Sequence, residues 1–260
     1  MSERRSRPHP LRDLRLAFSF MTVLPLGGEW PEDGVRGMAA YFPWVGVFLG
    51  GVGALIGWGA HARGADDPLT ALLAGMLVIV VWALLGRFLH WDGLADVADA
   101  LGCHDRSRRL DIMKDSLIGP FGVLAIVLVA SVQVVSAAIL IRSQAFVMLF
   151  AAPIVARSVA AFAAYSIRPA RTTGLGAAIA GHGRLVDALP LALALLLLGE
   201  VFLGLHEWVG LGVVVGSLLL GYLLSRALAR AVGGLTGDIL GASILVTEAT
   251  TLVAAAFLLR

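Results

Sequence analysis

Charged residues are scarce in this chain: only 15% of its 260 residues are Asp, Glu, Lys or Arg, whereas 58% are hydrophobic. Soluble domains carry roughly 25% charged residues, and the mean hydropathy here is +0.87. The composition therefore excludes an ordinary soluble domain and predicts an all-α, polytopic integral membrane protein. The net charge of +2 is too small to indicate a nucleic-acid partner. The single cysteine, Cys103, excludes an intramolecular disulfide.

Long apolar runs take the place of the missing charges. Spanning a bilayer takes about 20 apolar residues, and the segments that reach or approach this length are 38–60, 69–91, 120–141, 145–167, 187–205, 208–225 and 239–259. Because only residues 206–207 separate the fifth segment from the sixth, we expect about seven transmembrane helices, within a range of six to eight. We treat residues 1–260 as one membrane domain, in which residues 1–37 are a cytoplasmic or interfacial N-terminal segment.

The distribution of Lys and Arg predicts the orientation, because cytoplasmic loops of membrane proteins are enriched in these residues. Residues 1–37, 92–119, 168–186 and 226–238 together hold fifteen of them, whereas the intervening loops and the C-terminus hold three. The two groups alternate along the chain without a break. We therefore expect the N-terminus and these three loops to face the cytoplasm, and the C-terminus to face the opposite side.

Three aspartates, Asp92, Asp96 and Asp99, follow the second apolar segment with spacings of four and three residues. On a helix these spacings place the side chains on one face, within about one turn of each other. Crowded carboxylates raise one another's pKa unless a cation lies between them. Hard oxygen ligands suit Mg²⁺, or alternatively Mn²⁺, and both ions also bind phosphate groups. The run therefore predicts a metal site, although a solvated acidic helix face would have the same pattern.

The region 92–119, which we expect to be a cytoplasmic loop, mixes acids with bases. It holds six of the twelve aspartates, together with three arginines and one lysine. Acids that bind a metal and bases that bind phosphate favour phosphoryl transfer on a charged substrate, whereas the alternative is a soluble loop rich in surface ion pairs. The candidates here are Asp115 as a further metal ligand, and Arg109 and Lys114 as phosphate-binding cations.

A second distinctive run leads into the last apolar segment. Glycines at positions 233, 234, 237 and 241 surround Asp238 and permit close approach of the backbone to a ligand. Asp238 suits either a metal site or the N-terminal cap of the last helix. Deeper in the membrane, Glu248 and Arg157 are costly charges that by default mark a functional site. Arg157 either binds a phosphate or neutralises Glu248, and the sequence leaves both alternatives open.

Three runs resemble a known family. They are His90-x-Asp92-Gly93-Leu94-Ala95-Asp96-x-x-Asp99, Lys114-Asp115-Ser116-x-Ile118-Gly119-x-Phe121-Gly122 and Gly233-Gly234-x-Thr236-Gly237-Asp238-x-Leu240-Gly241-Ala242. Shorter matches extend over nearly all of the chain, and they are Phe18-x-x-x-Thr22-x-Leu24-Pro25, Phe42-Pro43-x-Val45-Gly46, Arg157, Arg171-x-x-Gly174-Leu175-Gly176 and Glu248. The chain therefore resembles the cobalamin synthase family, the adenosylcobinamide-GDP ribazoletransferases.

The resemblance implies a Mg²⁺-dependent enzyme of the bacterial cytoplasmic (inner) membrane. Such an enzyme transfers cobinamide phosphate from adenosylcobinamide-GDP to α-ribazole or its 5′-phosphate and releases GMP, and other late cobalamin-pathway enzymes are candidate partners. The predicted catalytic residues are Asp96, Asp99 and Arg157, with Asp99 as the base. The predicted metal ligands are Asp92, Asp96, Asp99, Asp115 and Asp238. The predicted substrate-binding residues are His90, Arg109, Lys114, Ser116, Arg171, Gly237 and Glu248.

Two other classes of protein share parts of this pattern. A CDP-alcohol phosphatidyltransferase-like enzyme also pairs Asp-Gly with spaced aspartates, but its signature has an arginine where this chain has Asp96. A transporter would place its charges near the middle of the membrane, whereas most charges here lie in one loop. Because no Ser or Cys has a His beside it in a recognisable arrangement, we expect a direct displacement with inversion at phosphorus rather than a covalent intermediate.

Overall fold

The computed structural model describes residues 9–26, 35, 37–64, 67–115, 117–172, 175–179, 189–204 and 208–259. These residues form α-helices, with 3₁₀ turns at Met38–Tyr41 and Arg106–Arg108. In chain order the helices are α1 (Pro10–Met21), α2 (Phe42–His61), α3 (Pro68–Leu85), α4 (Leu89–Gly102), α5 (Arg109–Ile112), α6 (Pro120–Arg142), α7 (Phe146–Ser166), α8 (Leu175–Ile179), α9 (Leu189–Gly204), α10 (Trp208–Val232) and α11 (Gly237–Leu258).

Six of the described helices are long and apolar enough to cross a membrane: α2 together with the 3₁₀ turn before it, α3, α6, α7, α10 and α11. The apolar helix α9 is shorter, at 16 residues. Large apolar side chains on α3 and α6, among them Leu73, Leu77, Leu124 and Leu128, are exposed on the protein surface. Such a surface is stable against lipid but not against water. The prediction of a polytopic helical membrane protein is therefore confirmed.

The predicted segment 69–91 is wrong at its end, and so is the expectation of a loop that begins at residue 92. Helix α3 ends at Leu85, because Arg87 and Phe88 both adopt a left-handed backbone conformation with φ of 55°. The chain then starts a new helix, α4, of 14 residues. The aspartate run therefore lies on a separate short helix, which packs against α11 and α6.

Helix α10 is longer than the predicted segment 208–225. It continues to Val232 and carries Arg226 and Arg230 on its last turns, where we expected a loop. Long cationic side chains near the end of a spanning helix reach the interface and do not end the helix. The helix stops at Gly233, which has a φ of 94°, a conformation that glycine adopts without strain.

Helices α7 and α11 are the most buried spans and form the centre of the bundle. Helix α7 packs against α2, α10 and α11, and α11 also packs against α4 and α6. Gly46 and Gly50 of α2 lie directly against α7, where a β-carbon would clash with the carbonyl oxygens of Pro153 and Phe150. These two glycines therefore allow a close contact between α2 and α7, as a Gly-x-x-x-Gly spacing predicts.

Three connecting regions meet at one end of the bundle. The segment after α7 runs beside the turn before α11, and the amide of Leu235 donates a hydrogen bond to the carbonyl of Arg168 (2.8 Å). The region between α4 and α6 lies beside these two segments. In it, the guanidinium of Arg109 donates a hydrogen bond to the carbonyl of Ala231 (3.0 Å), in the last turn of α10. All three regions therefore lie on one side, in agreement with the charge pattern of the sequence.

Candidate active site

The aspartate run of α4 lies directly against the start of α11. Gly93 faces Asp238, and a β-carbon on Gly93 would lie only 2.8 Å from the carbonyl oxygen of Asp238. Gly241, one turn later on α11, lies in the same way against the backbone of His90. Because glycine has no side chain, the two helices approach closely at both points. The glycines beside these acidic residues therefore have a packing role that brings two acidic segments together.

Helix α11 is capped by Thr236, whose side-chain oxygen accepts a hydrogen bond from the amide of Ile239 (3.2 Å). The capping role that the sequence left open for Asp238 therefore belongs to Thr236. Asp238 lies in the first turn of the helix instead, where the positive end of the helix dipole favours a negative charge.

The carboxylates of α4 and α11 influence one another. Burial, followed by the negative charges of Asp92, Asp238 and Asp99, raises the pKa of Asp96 to about 7. Mutual repulsion of this kind is relieved by a bound cation. The predicted helical placement of the run is confirmed, and the structure adds Asp238 as a neighbour from a distant part of the sequence.

The donor set fits a hard divalent cation that binds together with substrate. Among the described residues, no three His, Cys, Asp or Glu side chains lie close enough to form a complete metal site by themselves. Mg²⁺ usually takes only one or two protein carboxylates, and water and substrate phosphates complete its shell. Asp92, Asp96 and Asp238 can supply such carboxylates without a preformed cage of ligands.

Asp99 has a structural role that the sequence did not predict. Its carboxylate oxygens accept hydrogen bonds from the backbone amides of Gly119 (2.7 Å) and Gly122 (2.9 Å) at the start of α6. The first amides of a helix have no partners within the helix and need such an acceptor. Asp99 therefore fixes α6 to α4, and this engagement disfavours its predicted role as the general base.

The predicted ligands in the turn after α5 are exposed. Lys114 forms a surface ion pair with Asp111 (2.9 Å), and Asp115 accepts a hydrogen bond from the amide of Leu117 (3.1 Å). Lys114 and Asp115 both line the larger of the two cavities described below, so their predicted contacts with metal or substrate stay predictions. Ser116, also predicted to bind substrate, lies outside the described residues.

Two arginines that were predicted to bind phosphate contact backbone carbonyls. Arg109 donates to the carbonyls of Cys103 (3.1 Å) and Ala231 (3.0 Å) and lines neither cavity. Its contacts are those of a structural residue that joins α5 to the last turn of α10. Arg171 donates from one nitrogen to the carbonyl of Leu110 (2.7 Å) and also lines the smaller cavity. Arg171 is therefore the better placed of the two to meet a phosphate.

Arg157 and Glu248 form a buried ion pair, with 2.6 Å between Nη1 and Oε1 and only 3% and 5% of the two side chains exposed. Of the two roles that the sequence left open for Arg157, the structure supports neutralisation of Glu248. The pair lines a void of about 20 Å³ beside His90 and Gln133, and it lines neither of the two cavities that contain Asp92 and Asp238 in their walls. These positions do not support a catalytic role for Arg157 or direct substrate binding by Glu248.

His90 lies between this ion pair and the aspartates. Burial, and then the positive charge of Arg157, lowers the pKa of His90 to about 3, so its imidazole is neutral. Its Nε2 atom is buried without a hydrogen-bond partner among the described residues. Because His90 also lines the smaller cavity, it can meet a substrate only as an uncharged group.

Two cavities flank Asp92 and Asp238, which line both of them. The smaller cavity has a volume of about 270 Å³ and is bounded by α1, α2, α8, the start of α4 and the start of α11, where Gly237 lies. The larger cavity, of about 830 Å³, lies among α3, α4 and α6 and contains Asp96. The acidic residues therefore lie where two bound ligands would meet.

Sequence reasoning missed the apolar residues that shape the smaller cavity. Phe20 of α1, Phe42 of α2 and Ile179 of α8 converge there from distant parts of the chain. A signal existed for Phe42, which is the first residue of the family-like match Phe42-Pro43-x-Val45-Gly46, whereas Phe20 occupies an unspecified position of the match before it. An aromatic residue in an apolar run is nevertheless interpreted first as core, and only the fold shows that these rings line a cavity.

A bundle of membrane-spanning helices that brings carboxylates, an arginine and two cavities together at one end has the organisation of a membrane enzyme for charged, phosphate-bearing substrates. No solved structure matches the chain. The chain belongs to the cobalamin-5-phosphate synthase family, whose family model matches residues 13–256.

Curated relatives extend over nearly the whole chain. An adenosylcobinamide-GDP ribazoletransferase of Pseudomonas paraeruginosa is 39% identical over 255 residues, which cover 95% of this chain and 98% of the relative. The enzyme of the same name from Bradyrhizobium diazoefficiens is 39% identical over 241 residues (89% and 88%), and that from Frankia casuarinae is 36% identical over 266 residues (92% and 92%). The resemblance inferred from the motifs is therefore confirmed, and neither a phosphatidyltransferase nor a transporter is supported.

Proposed function

We propose that this chain transfers the cobinamide-phosphate group of adenosylcobinamide-GDP to α-ribazole or its 5′-phosphate and releases GMP. The ribose 3′-oxygen of the acceptor forms a bond to the phosphorus that carries cobinamide. The bond from this phosphorus to the oxygen that bridges to GMP breaks, and its electron pair leaves with GMP. The hydroxyl proton of the acceptor passes to a protein carboxylate. A single displacement of this kind inverts the configuration at phosphorus.

The observation that carries this proposal is the meeting of two cavities at Asp92 and Asp238, in a chain whose relatives carry the name of this activity. A transfer between two large molecules needs both of them bound beside one reacting phosphorus, because correct mutual orientation removes much of the barrier. A site with a single closed pocket would not meet this requirement.

The proposed cofactor is Mg²⁺, with Mn²⁺ as the alternative, held by Asp92 and Asp238. These are the two carboxylates that line both cavities. When bound, the ion would neutralise charge on the diphosphate of the substrate. Asp115, exposed at the edge of the larger cavity, is a further candidate ligand. Asp99 supports this arrangement indirectly, because it fixes α6 to α4.

Asp96 is the proposed proton acceptor. It lies one helical turn after Asp92, is half-buried, and lines the larger cavity. Asp99, by contrast, holds two backbone amides. Among the described residues, Arg171 and Lys114 are the Arg and Lys side chains that line the two cavities, and they can donate hydrogen bonds to phosphate oxygens of a substrate.

The assignment of Asp99 to structure rather than to catalysis can be tested. We expect Asp99→Ala to lower the free energy of unfolding by about 1 kcal/mol, the usual cost of a lost side-chain cap. Asp99→Asn should cost less, because its amide oxygen still accepts a hydrogen bond. Thermal unfolding in detergent and turnover of the purified variants measure the two effects. If Asp99→Asn lost as much turnover as Asp96→Asn while remaining folded, Asp99 would be the base.

The site is proposed to face the cytoplasm of a bacterial cell from the inner membrane. The support is the charge distribution along the sequence, because the segments predicted to be cytoplasmic hold fifteen Lys and Arg residues and the other loops with the C-terminus hold three. Both substrates are charged or bulky, polar molecules, so a cytoplasmic site would have access to them without a transport step. Association with other enzymes of late cobalamin biosynthesis stays a prediction.

Cysteine labelling in intact cells tests this orientation. On a Cys103→Ser background, Asp105→Cys introduces a thiol at an exposed position on the side of the site, and Arg63→Cys is the matched exposed position in the turn between α2 and α3. We expect a membrane-impermeant maleimide to label position 63 in intact cells and position 105 only after permeabilisation. The reverse pattern would place the site outside the cytoplasm.

The activity itself is tested with the purified full-length chain in detergent or liposomes. Adenosylcobinamide-GDP, α-ribazole 5′-phosphate and Mg²⁺ should together yield GMP and a corrinoid product whose mass contains both substrates less GMP. Omission of the α-ribazole compound is the control. Release of GMP that does not depend on this acceptor would indicate a hydrolase, and no release in folded protein would refute the proposed function.

A further inference from the structure

We propose that the smaller cavity is the binding site for the α-ribazole substrate and that Arg171 in it binds the 5′-phosphate of this substrate. The corrinoid nucleotide then occupies the larger cavity. This assignment rests on the proposed function, which names the two substrates but does not say where either of them binds.

The first argument is geometric. In a direct displacement the attacking and leaving oxygens lie on opposite sides of the reacting phosphorus, roughly in line. The two cavities lie on either side of Asp92 and Asp238, which line both. A phosphorus held near these carboxylates is therefore open to attack from one cavity, while the group that leaves departs toward the other.

The second argument is the chemistry of the smaller cavity. Part of its lining is apolar and partly aromatic, with Phe20, Met21, Phe42, Leu240 and Ile244. The dimethylbenzimidazole ring of α-ribazole has two methyl groups and no N–H donor, so it can be buried there at little polar cost. Guanine has several donors and acceptors, each of which would lose its hydrogen bonds to water against such a surface. The volume of about 270 Å³ also suits one nucleoside rather than a corrin ring.

The third argument is the position of Arg171. Among the described residues that line the smaller cavity, it is the one arginine, and none of them is a lysine. The segment that carries it is fixed, because the amide of Ala170 donates a hydrogen bond to Leu235 (2.9 Å). Arg171 itself donates to the carbonyl of Leu110 (2.7 Å). One guanidinium has five N–H donors, so this bond leaves others for a phosphate. A positioned arginine binds phosphate through strong, charge-assisted hydrogen bonds.

The fourth argument is the shape of the larger cavity. It reaches down between α3 and α6 to Ile126 and Ala130, which lie six and ten residues into α6 and hence about 9–15 Å along the helix from its start. Val80 and Phe88, which also line it, are 45% and 51% exposed on the surface of the bundle. Its volume and its partly open, apolar side suit a large corrinoid that the smaller cavity cannot hold.

Arg171→Gln tests the assignment of the phosphate. With wild-type enzyme and with the variant, kcat/KM is measured for α-ribazole 5′-phosphate and for unphosphorylated α-ribazole. We expect kcat/KM for α-ribazole 5′-phosphate to fall about 10-fold relative to kcat/KM for α-ribazole, which is the usual effect of one hydrogen bond to a charged group. The value for unphosphorylated α-ribazole should stay near that of the wild type. Arg171→Lys should restore part of the ratio. An equal loss for both acceptors, or a higher KM for adenosylcobinamide-GDP alone, would overturn the assignment.

A matched pair of substitutions tests the cavities without touching the charged residues. Ala177 of α8 lines the smaller cavity and Ala130 of α6 lines the larger one, and both are half-buried. We expect Ala177→Leu to raise the KM for the α-ribazole acceptor about 10-fold and to leave the KM for adenosylcobinamide-GDP unchanged. Ala130→Leu should raise the KM for adenosylcobinamide-GDP and leave the KM for the α-ribazole acceptor unchanged. The assignment would be overturned if each variant raised the KM of the other substrate, or if each raised both KM values equally.

These experiments distinguish a failure of the cavity assignment from a failure of the proposed function. If the wild-type chain forms no corrinoid product, the proposed function fails before any variant is compared. If the wild type is active and the variants give the opposite or equal effects, the function stands and the assignment of the cavities is wrong.

Discussion

Asp96→Asn is expected to reduce turnover by about 10²- to 10⁴-fold, the range that a positioned general base contributes, while the protein still folds. Asparagine keeps the size of the side chain but cannot accept the proton of the attacking hydroxyl. Folding should not suffer at neutral pH, because burial and neighbouring carboxylates raise the pKa of Asp96 to about 7. A group whose ionisation is disfavoured by the fold does not stabilise it when ionised. Turnover and thermal unfolding of the purified variant measure both effects.

Asp92→Asn and Asp238→Asn should respond differently. If they hold Mg²⁺, each variant needs more of the ion for half-maximal activity, whereas Asp96→Asn keeps the Mg²⁺ requirement and loses maximal turnover. The matched control is Asp105→Asn, an exposed aspartate of the same region whose side chain accepts hydrogen bonds from the amide and the hydroxyl of Ser107. Near-wild-type turnover in Asp96→Asn would remove it from the mechanism. A changed Mg²⁺ requirement as its sole defect would make it a metal ligand.

The acidic helix shows how far local spacing predicts structure. Spacings of four and three residues correctly placed Asp92, Asp96 and Asp99 on a helix, because helical periodicity is a local property. The same spacing cannot show that Asp99 caps α6, since its partners, Gly119 and Gly122, come 20 or more residues later. Spacing gives a shared face, but the fold decides which carboxylates on that face stay available to a ligand.

The ends of the helices were predicted less well than their existence. Hydropathy identified α3 as a membrane-spanning segment, but the predicted segment continued past residues 86–88. There the backbone is left-handed at Arg87 and Phe88, and the helix has ended. Neither residue favours that conformation locally, so the sequence carries no local signal for this turn, after which α4 packs on α11 and α6. For α10 a local signal was present, because Gly233 and Gly234 are typical of a helix end.

The cavities could not be predicted from the sequence, because they form only when distant elements pack together. Phe20, Phe42 and Arg171 lie far apart in the sequence and on different elements, yet all three line the smaller cavity. No periodicity links residues on separate elements. The sequence could therefore place the candidate metal-ligating and phosphate-binding residues on one side of the membrane, but it could not show that two cavities flank the same pair of aspartates.

Breaking the Arg157–Glu248 pair is expected to lower the free energy of unfolding by about 3–5 kcal/mol, the cost of leaving one buried charge without its partner. The two side chains are 2.6 Å apart and at most 5% exposed, on helices α7 and α11 at the centre of the bundle. Arg157→Met and Glu248→Leu should each show this loss, because each leaves the other charge unpaired among apolar groups. The matched control is Asp111→Ala, which breaks an exposed ion pair with Lys114 and should leave the free energy of unfolding almost unchanged.

The double variant Arg157→Met/Glu248→Leu separates structure from catalysis. Replacing both charges by apolar side chains removes the unpaired charge, and such replacements are often neutral or stabilising. We therefore expect the double variant to unfold near the wild-type temperature in detergent. Because the pair lines neither of the two cavities that flank Asp92 and Asp238, the double variant should also keep most of the turnover. A double variant that folds like the wild type but has lost turnover would show that Arg157 acts on the substrate, and it would refute the purely structural role that the buried ion pair supports.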